Sequence, residues 1–167
     1  MDADGSAMDR ALNRAILGAD ISSSFEEYLA IVDRFYDEGV EVASDSPPRE
    51  VVGKAQLLSM LSSLLIPIHV MAEVAGLSVS LRQTDIPSDR WGEFHSAWEL
   101  HLVGTTGREV TMRWSSLRRW RQSRVVYERH YDQVHVGEAL TEMDLNLSPP
   151  RPWEDLNDRR HRETKPN

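Results

Sequence analysis

The chain has 167 residues, 40% of them hydrophobic, which is enough for one domain with a real core. A formal charge of -8 argues against nucleic acid and anionic membrane as partners, because phosphate binding needs a basic surface. There is no cysteine, so disulfides, thiolate catalysis and Cys-type zinc sites are excluded.

From the N-terminus, Met1 to Arg10 is acidic and lacks the apolar run of a signal peptide. Met8, Leu12, Ala15 and Ile16 recur at helical spacing, with Gly18 as a stop. Ser22-Ser23-Ser24 leads into a second helix in which Ser24 and Glu27 fit a capping box. Phe25, Leu29, Val32 and Tyr36 form its inward stripe, Tyr28 lies beside it, and Gly39 ends it. Val40 and Val42 flank Glu41 as in a short strand. The following Ser44-Asp45-Ser46-Pro47-Pro48 cannot be helical. A third helix runs from about Gly53 to Leu65, with Leu57, Leu61, Leu64 and Leu65 on one face and Pro67 as its end. The apolar run Leu64 to Ile68 is too short to span a bilayer, and a cytoplasmic protein with no membrane partner is expected. Val70, Ala72 and Val74 then alternate as in a strand. Leu77, Val79 and Leu81 continue on the opposite phase, and a bulge at Gly76 would join the two halves.

The strongest geometric inference comes from the next two strands. Phe94, Ser96, Trp98, Leu100 and Leu102 share one face of the first, and Val110, Met112 and Trp114 share one face of the second. A three-residue loop, Thr105-Thr106-Gly107, sets Leu102 against Val110, Leu100 against Met112 and Trp98 against Trp114. In the last hairpin, Val125-Val126 hides the phase. A two-residue turn puts Tyr131 opposite Trp114 and Asp132 outside. A loop one residue longer puts Asp132 opposite Trp114 and His130 opposite Ser116. The domain is expected to span residues 1–140. The segment 141–167, rich in proline and charge, reads as a poorly ordered tail in which Trp153 could dock on a neighbour.

Taken in order, these segments form an α+β cone: three N-terminal helices packed on a strongly curved, mostly antiparallel sheet. The pattern resembles the nuclear transport factor 2-like superfamily, and within it SnoaL-like polyketide cyclases and ketosteroid-isomerase-like proteins. Carrying the resemblance are the segments Phe35 to Val42, Val52-Gly53-Lys54-Ala55, Gly107-Arg108-Glu109-Val110 and Ser123 to Asp132. In the isomerases a base aspartate precedes the third helix, and Asp45 is the nearest match. Their oxyanion hole needs a first-helix tyrosine, absent here, and a protonated aspartic acid where this chain has Ser115 or Ser116. In SnoaL-like cyclases the base aspartate ends the last strand, where Asp132 stands. The histidine of the neighbouring strand has no counterpart between Val110 and Trp120, and His130 could serve instead.

The resemblance implies cofactor-independent acid–base chemistry on a small, largely apolar carbonyl compound such as a polyketide or terpenoid. Asp132 would be the base and His130 its partner, with Trp98, Trp114, Met112, Phe94 and Tyr28 as walls and Ser116 and Asp45 at the site. Each has a structural alternative. Asp132 could pair with Arg113 or a loop amide, and Asp45 suits a turn beside two prolines. Trp98 and Trp114 suit a core as well as they suit a ligand wall. The runner-up function is a non-catalytic binding or dimeric assembly module, pairing as a homodimer through the sheet face. His95, His101, Glu93 and Glu99 share that outer face, where a polar surface explains them better than a metal. The arginines of the meander, Arg108 to Arg124, read as a solvated or interface face. No metal and no cofactor is implied.

Overall fold

Leu12 and Ile16, one turn apart, fix the inward side of helix α1 (Ala3–Gly18). The computed structural model describes residues 3–21, 24–85 and 87–137; the tail and Trp153 lie outside the described residues. Helix α2 (Phe25–Phe35) buries Val32 and Phe35. Ser24 stands at its N-cap in extended conformation, but the capping box is not formed. The Ser24 hydroxyl contacts Glu26 at 3.5 Å instead of a backbone donor. Glu26 and Glu27 still favour the positive end of the helix dipole. The helix also stops before Gly39. Tyr36 already belongs to strand β1 (Tyr36–Asp45), where it pairs with Val125 in a parallel ladder. Strand β2 (Pro48–Val52) folds back antiparallel on β1 across a turn holding the cis Ser46–Pro47 peptide.

Helix α3 (Lys54–Ala75) departs most from expectation, since it runs straight through Pro67 and replaces the strand expected at 70–74. Pro67 is exposed, so the carbonyl its missing N–H leaves unpaired can meet water. The Ser62 and Ser63 hydroxyls donate back to the carbonyls of Leu58 and Ser59, one turn earlier. His69 and Glu73, 3.5 Å apart, are an i,i+4 pair that alternation of the valines concealed. Gly76, expected as a bulge, is the left-handed C-cap at φ 69°, a conformation glycine adopts without penalty. At 22 residues, α3 is long and apolar enough to cross a bilayer by length and composition alone. Only 11% of its most apolar stretch is buried. Leu64, Ile66, Val70 and Val74 are exposed along its C-terminal half.

Strands β3 (Ser78–Gln83), β4 (Ser88–Arg90), β5 (Glu93–Val103), β6 (Glu109–Arg121) and β7 (Arg124–Gly137) complete a sheet in the order β2-β1-β7-β6-β5-β3, with β4 also pairing β5. The β5–β6 register is the expected one, with Leu102 opposite Val110, Leu100 opposite Met112 and Trp98 opposite Trp114. Gly107 in the connecting loop has φ 87°. The sheet is mixed, since β1 and β7 run parallel. Leu12, Val32, Phe35, Val40, Leu57, Trp98 and Val125 tie the three helices to its inner face in one core.

The β6–β7 hairpin combines the two registers that the sequence leaves open. Its turn is the two-residue Gln122-Ser123, both at positive φ, and Arg121 pairs with Arg124. A bulge then takes up Val126 between the Trp120–Val125 and Arg119–Tyr127 pairs, so His130 comes opposite Ser116 as in the longer-loop register. A second shift lies between Arg113 and Ser115. There Asp132, at φ 52°, sits in the bulge facing Trp114.

Candidate functional site: a buried ion network under helix α1

Alternation along β6 sends Met112, Trp114, Ser116, Arg118 and Trp120 to the same side as Trp98. Arg118 is therefore not a solvated arginine. It is 3% exposed, with Asp9 at 2% and Glu128 at 4% around it. Glu128 is its cross-strand partner, and the Arg118 Nε donates to Glu128 Oε1 at 3.1 Å. Arg118 Nη1 donates to Asn13 Oδ1 at 2.6 Å and to Asp9 Oδ1 at 3.4 Å. Asp9 and Asn13, one turn apart on α1, are joined at 3.2 Å, and Asn13 Nδ2 also donates to Ser96 Oγ at 3.1 Å. The Trp120 indole donates to Asp9 Oδ1 at 3.1 Å. Glu128 further accepts from the Tyr36 hydroxyl and lies 3.1 Å from His130 Nε2. Among the described residues no buried side-chain nitrogen or oxygen lacks a partner, the condition under which interior charge is tolerated.

Burial opposes ionisation of Glu128, but Arg118 and the bonds from His130 and Tyr36 outweigh it and hold its carboxyl well below the usual range. Burial and the nearby Glu128 charge push the Tyr36 phenol well up and the Tyr28 phenol up to about 12, so both stay neutral, and Tyr36 donates to Glu128. A carboxylate depressed on folding adds stability above its unfolded value of about 4.3 and loses it as pH falls through the folded value. Urea unfolding should therefore show a midpoint that drops on acidification below about pH 4.3, and Glu128→Gln should flatten that slope. An unchanged slope in Glu128→Gln would locate the acid sensitivity elsewhere.

The expected site residues divide. His130 is half-buried on the inner face, opposite Ser116 and tied to Glu128. Asp132 is exposed in its bulge. Trp98 is buried, and its indole donates to the Ser116 hydroxyl at 3.0 Å, so the pair forms part of the core. Trp114 and Tyr28 pack half-buried against that core, and Met112 is half-buried on the same face. Asp45 stands apart on the surface in a bidentate pair with Arg129 at 2.8 and 3.0 Å, which holds its carboxyl below the usual range. On the outer face Arg113 and Arg82 clasp Glu99, and His95 meets Tyr131 at 3.0 Å. Among the described residues no group of three or more His, Asp or Glu is placed to hold a metal ion.

A cleft of about 450 Å³ opens between α1 and the β3–β5 edge, within the range of small-ligand sites. Leu17, Pro87 and Phe94 give it apolar wall, Asp9 and Asn13 join it to the ion network, and Arg10, Arg14 and Asp89 stand around it. Phe94 is the one expected wall residue that lines it. The network residues Asp9, Asn13, Arg118 and Glu128 were not anticipated. Their signal was available, because Asp9 and Asn13 share the helical face of Leu12 and Ile16 and Arg118 has the inward parity of Trp98. A charged residue on an apolar parity marks either an error of phase or a buried pair.

No family model matches the chain, and no curated protein matches it in sequence. Solved structures do match its fold. A protein named as a SnoaL-like polyketide cyclase from Jannaschia sp. CCS1 superposes with a TM-score of 0.53 at 12% identity, covering 86% of this chain and 94% of its own. A nuclear transport factor 2-like protein of unknown function from Cytophaga hutchinsonii gives 0.54 at 12%, over 77% and 97% of the two chains. A protein named as a SnoaL-like polyketide cyclase from Mesorhizobium loti gives 0.51 at 14%, over 75% and 97%. Three helices on a curved mixed sheet, in this order and with this register, make the fold of residues 3–137 the nuclear transport factor 2-like, SnoaL-like cone.

Proposed function

We propose that the domain is a non-catalytic binding module of this fold, taking a small, partly apolar ligand in the cleft between α1 and the β3–β5 edge. The observation that carries the reading is how the carboxylates of the cone are placed. Asp9 and Glu128 both engage Arg118, and Glu128 is held in its charged form. A general base needs a proton affinity near the working pH and a lone pair free toward substrate. Glu128, held charged against a buried guanidinium, lacks the first, and Asp132, the expected base, stands exposed in its bulge. The outer sheet face, with Leu117, Tyr131, Val134 and Val136 among its ion pairs, is the surface for a homodimer.

A second reading keeps the acid–base chemistry that the SnoaL-like resemblance implies. It is favoured by one contact: His130 reaches the surface while its Nε2 is 3.1 Å from Glu128, so a fixed carboxylate orients an accessible imidazole. Asp132 would then assist from the bulge.

One experiment separates them. The full chain is screened against polyketide- and terpenoid-type carbonyl compounds by thermal shift, and each hit is followed by NMR for conversion or for exchange of protons alpha to the carbonyl. The binding reading expects stabilisation by mass action with the ligand unchanged. It also expects affinity to fall about tenfold in Leu17→Arg, an exposed cleft position whose unliganded melting temperature stays the same. Conversion or exchange that disappears in His130→Gln would overturn it in favour of the enzyme.

A further inference from the structure

Three unfavourable local choices meet at the end of the sheet where β4 turns into β5 and β6 into β7. The first is Trp91, which is 99% exposed. It occupies the first central position of a two-residue turn between the paired Arg90 and Glu93, at φ 61° and followed by Gly92 at φ 76°. A bulky residue in left-handed backbone is a genuine outlier, and such turns favour Asn-Gly. The second is the neighbouring turn, where Gln122 and Ser123 stand at φ 49° and 62° with no glycine. The third is the pair that flanks it, Arg121 directly opposite Arg124, like charges where a sheet prefers opposite ones.

These features form one surface. Glu93 pairs with Arg119, and two positions further on each strand the ladder runs out at Trp91 and Arg121. Glu93 is occupied by Arg119 at 2.5 and 2.8 Å, and Asp89 caps the backbone of Gly92. Among the described residues Arg90, Arg121 and Arg124 form no ion pair. A chain of net charge -8 thus gathers cations without a described partner around the fully exposed Trp91. Folding gains nothing from this arrangement, and violations of local preference concentrate where function requires them.

We propose that this end of the cone is a protein-docking surface, with Trp91 as anchor and Arg90, Arg121 and Arg124 around it, and that it receives an acidic segment of a partner protein carrying an apolar side chain. Tryptophan and arginine are the residues that dominate protein–protein hot spots. Nucleic acid fits less well, because successive bases need a row of stacking aromatics on a basic protein. The surface adjoins the ligand cleft at Asp89, which lines the cleft and caps Gly92, but needs no ligand there.

The test uses the full chain and fluorescein-labelled acidic peptides, rich in Asp and Glu with one central Leu, Phe or Trp, read by fluorescence polarisation. Basic peptides of the same design, oligo-dT and phosphatidylserine vesicles are run beside them. The expected result is salt-sensitive binding of acidic peptides that falls about 30-fold in Trp91→Asn and in Arg121→Glu. Both variants should melt about 2–4 °C higher than the parent, because Asn-Gly suits the turn and a carboxylate in place of the Arg121 guanidinium would attract Arg124. Acidic peptides that bind no better than basic ones, or equally to both variants, would overturn the proposal. So would tighter binding to oligo-dT or vesicles, or variants that melt lower than the parent.

Discussion

Replacing Arg118 with methionine should destabilise the domain by about 3–5 kcal/mol, the cost of leaving a buried charge without its partner. The side chain is 3% exposed and stands between Asp9 and Glu128, which are 2% and 4% exposed. Methionine keeps much of the volume, so the loss reports charge more than packing. Without the guanidinium, Glu128 keeps only Tyr36 and His130, and Asp9 keeps Asn13 and Trp120. Two anions then face each other's field in a medium with little water. The diagnostic measurement is a double-mutant cycle in urea. Glu128→Gln in the Arg118→Met background should recover part of the loss, because the second change removes the orphaned charge. Additive losses would mean that Arg118 is not coupled to Glu128 and acts through its other contacts, among them the Trp98 ring at 5.8 Å.

Trp98→Ala is expected to cost about 3–5 kcal/mol, the range for removing a buried tryptophan. That corresponds to a fall in melting temperature on the order of 10 °C. Trp98 is 3% exposed, touches the core shared by all three helices, and its indole N–H holds the Ser116 hydroxyl. Its loss opens a void and strips Ser116 of its donor at once. Trp114→Ala, at a half-buried position across the ladder, should cost less. The comparison bears on function. A wall that merely waits for a ligand can be trimmed with little loss of stability, whereas a residue that fills the cone cannot. Equal, small effects at both positions would restore Trp98 as a ligand wall.

The fold was legible where sequence period and turn chemistry agreed. Leu102, Leu100 and Trp98 met Val110, Met112 and Trp114 as expected, because only one loop length puts every apolar residue on one side. Legibility failed at Pro67, where a proline that would stop most helices lies on an exposed face and the helix continues to Ala75. It failed again at Tyr36, whose place in a helical stripe was outweighed by a parallel ladder to a strand some ninety residues away. At the site, His130 was placed on the inner face by one of two registers that the sequence could not separate. The buried partners Asp9, Asn13 and Arg118 were passed over because charged and amide residues are surface residues by default. Their inward phase outweighs that default only once both sides of the contact are known.

The bulge at Val126 has a consequence beyond local geometry. If every residue were kept but the bulge did not form, the turn register would continue, setting Tyr127 opposite Arg118 and Arg129 opposite Ser116. Glu128 and His130 would then face outward, and a second arginine would enter the interior that Arg118 already occupies. The bulge at Asp132 restores the original phase, so Val125 before the first bulge and His135 after the second share one side of the strand. The acidic and imidazole groups beneath the helices therefore owe their position to chain length between two fixed ends. In a lineage of such domains, loss of the Val126 codon would straighten the strand and leave both groups inward, whereas one codon gained between Tyr127 and Glu128 would turn both outward.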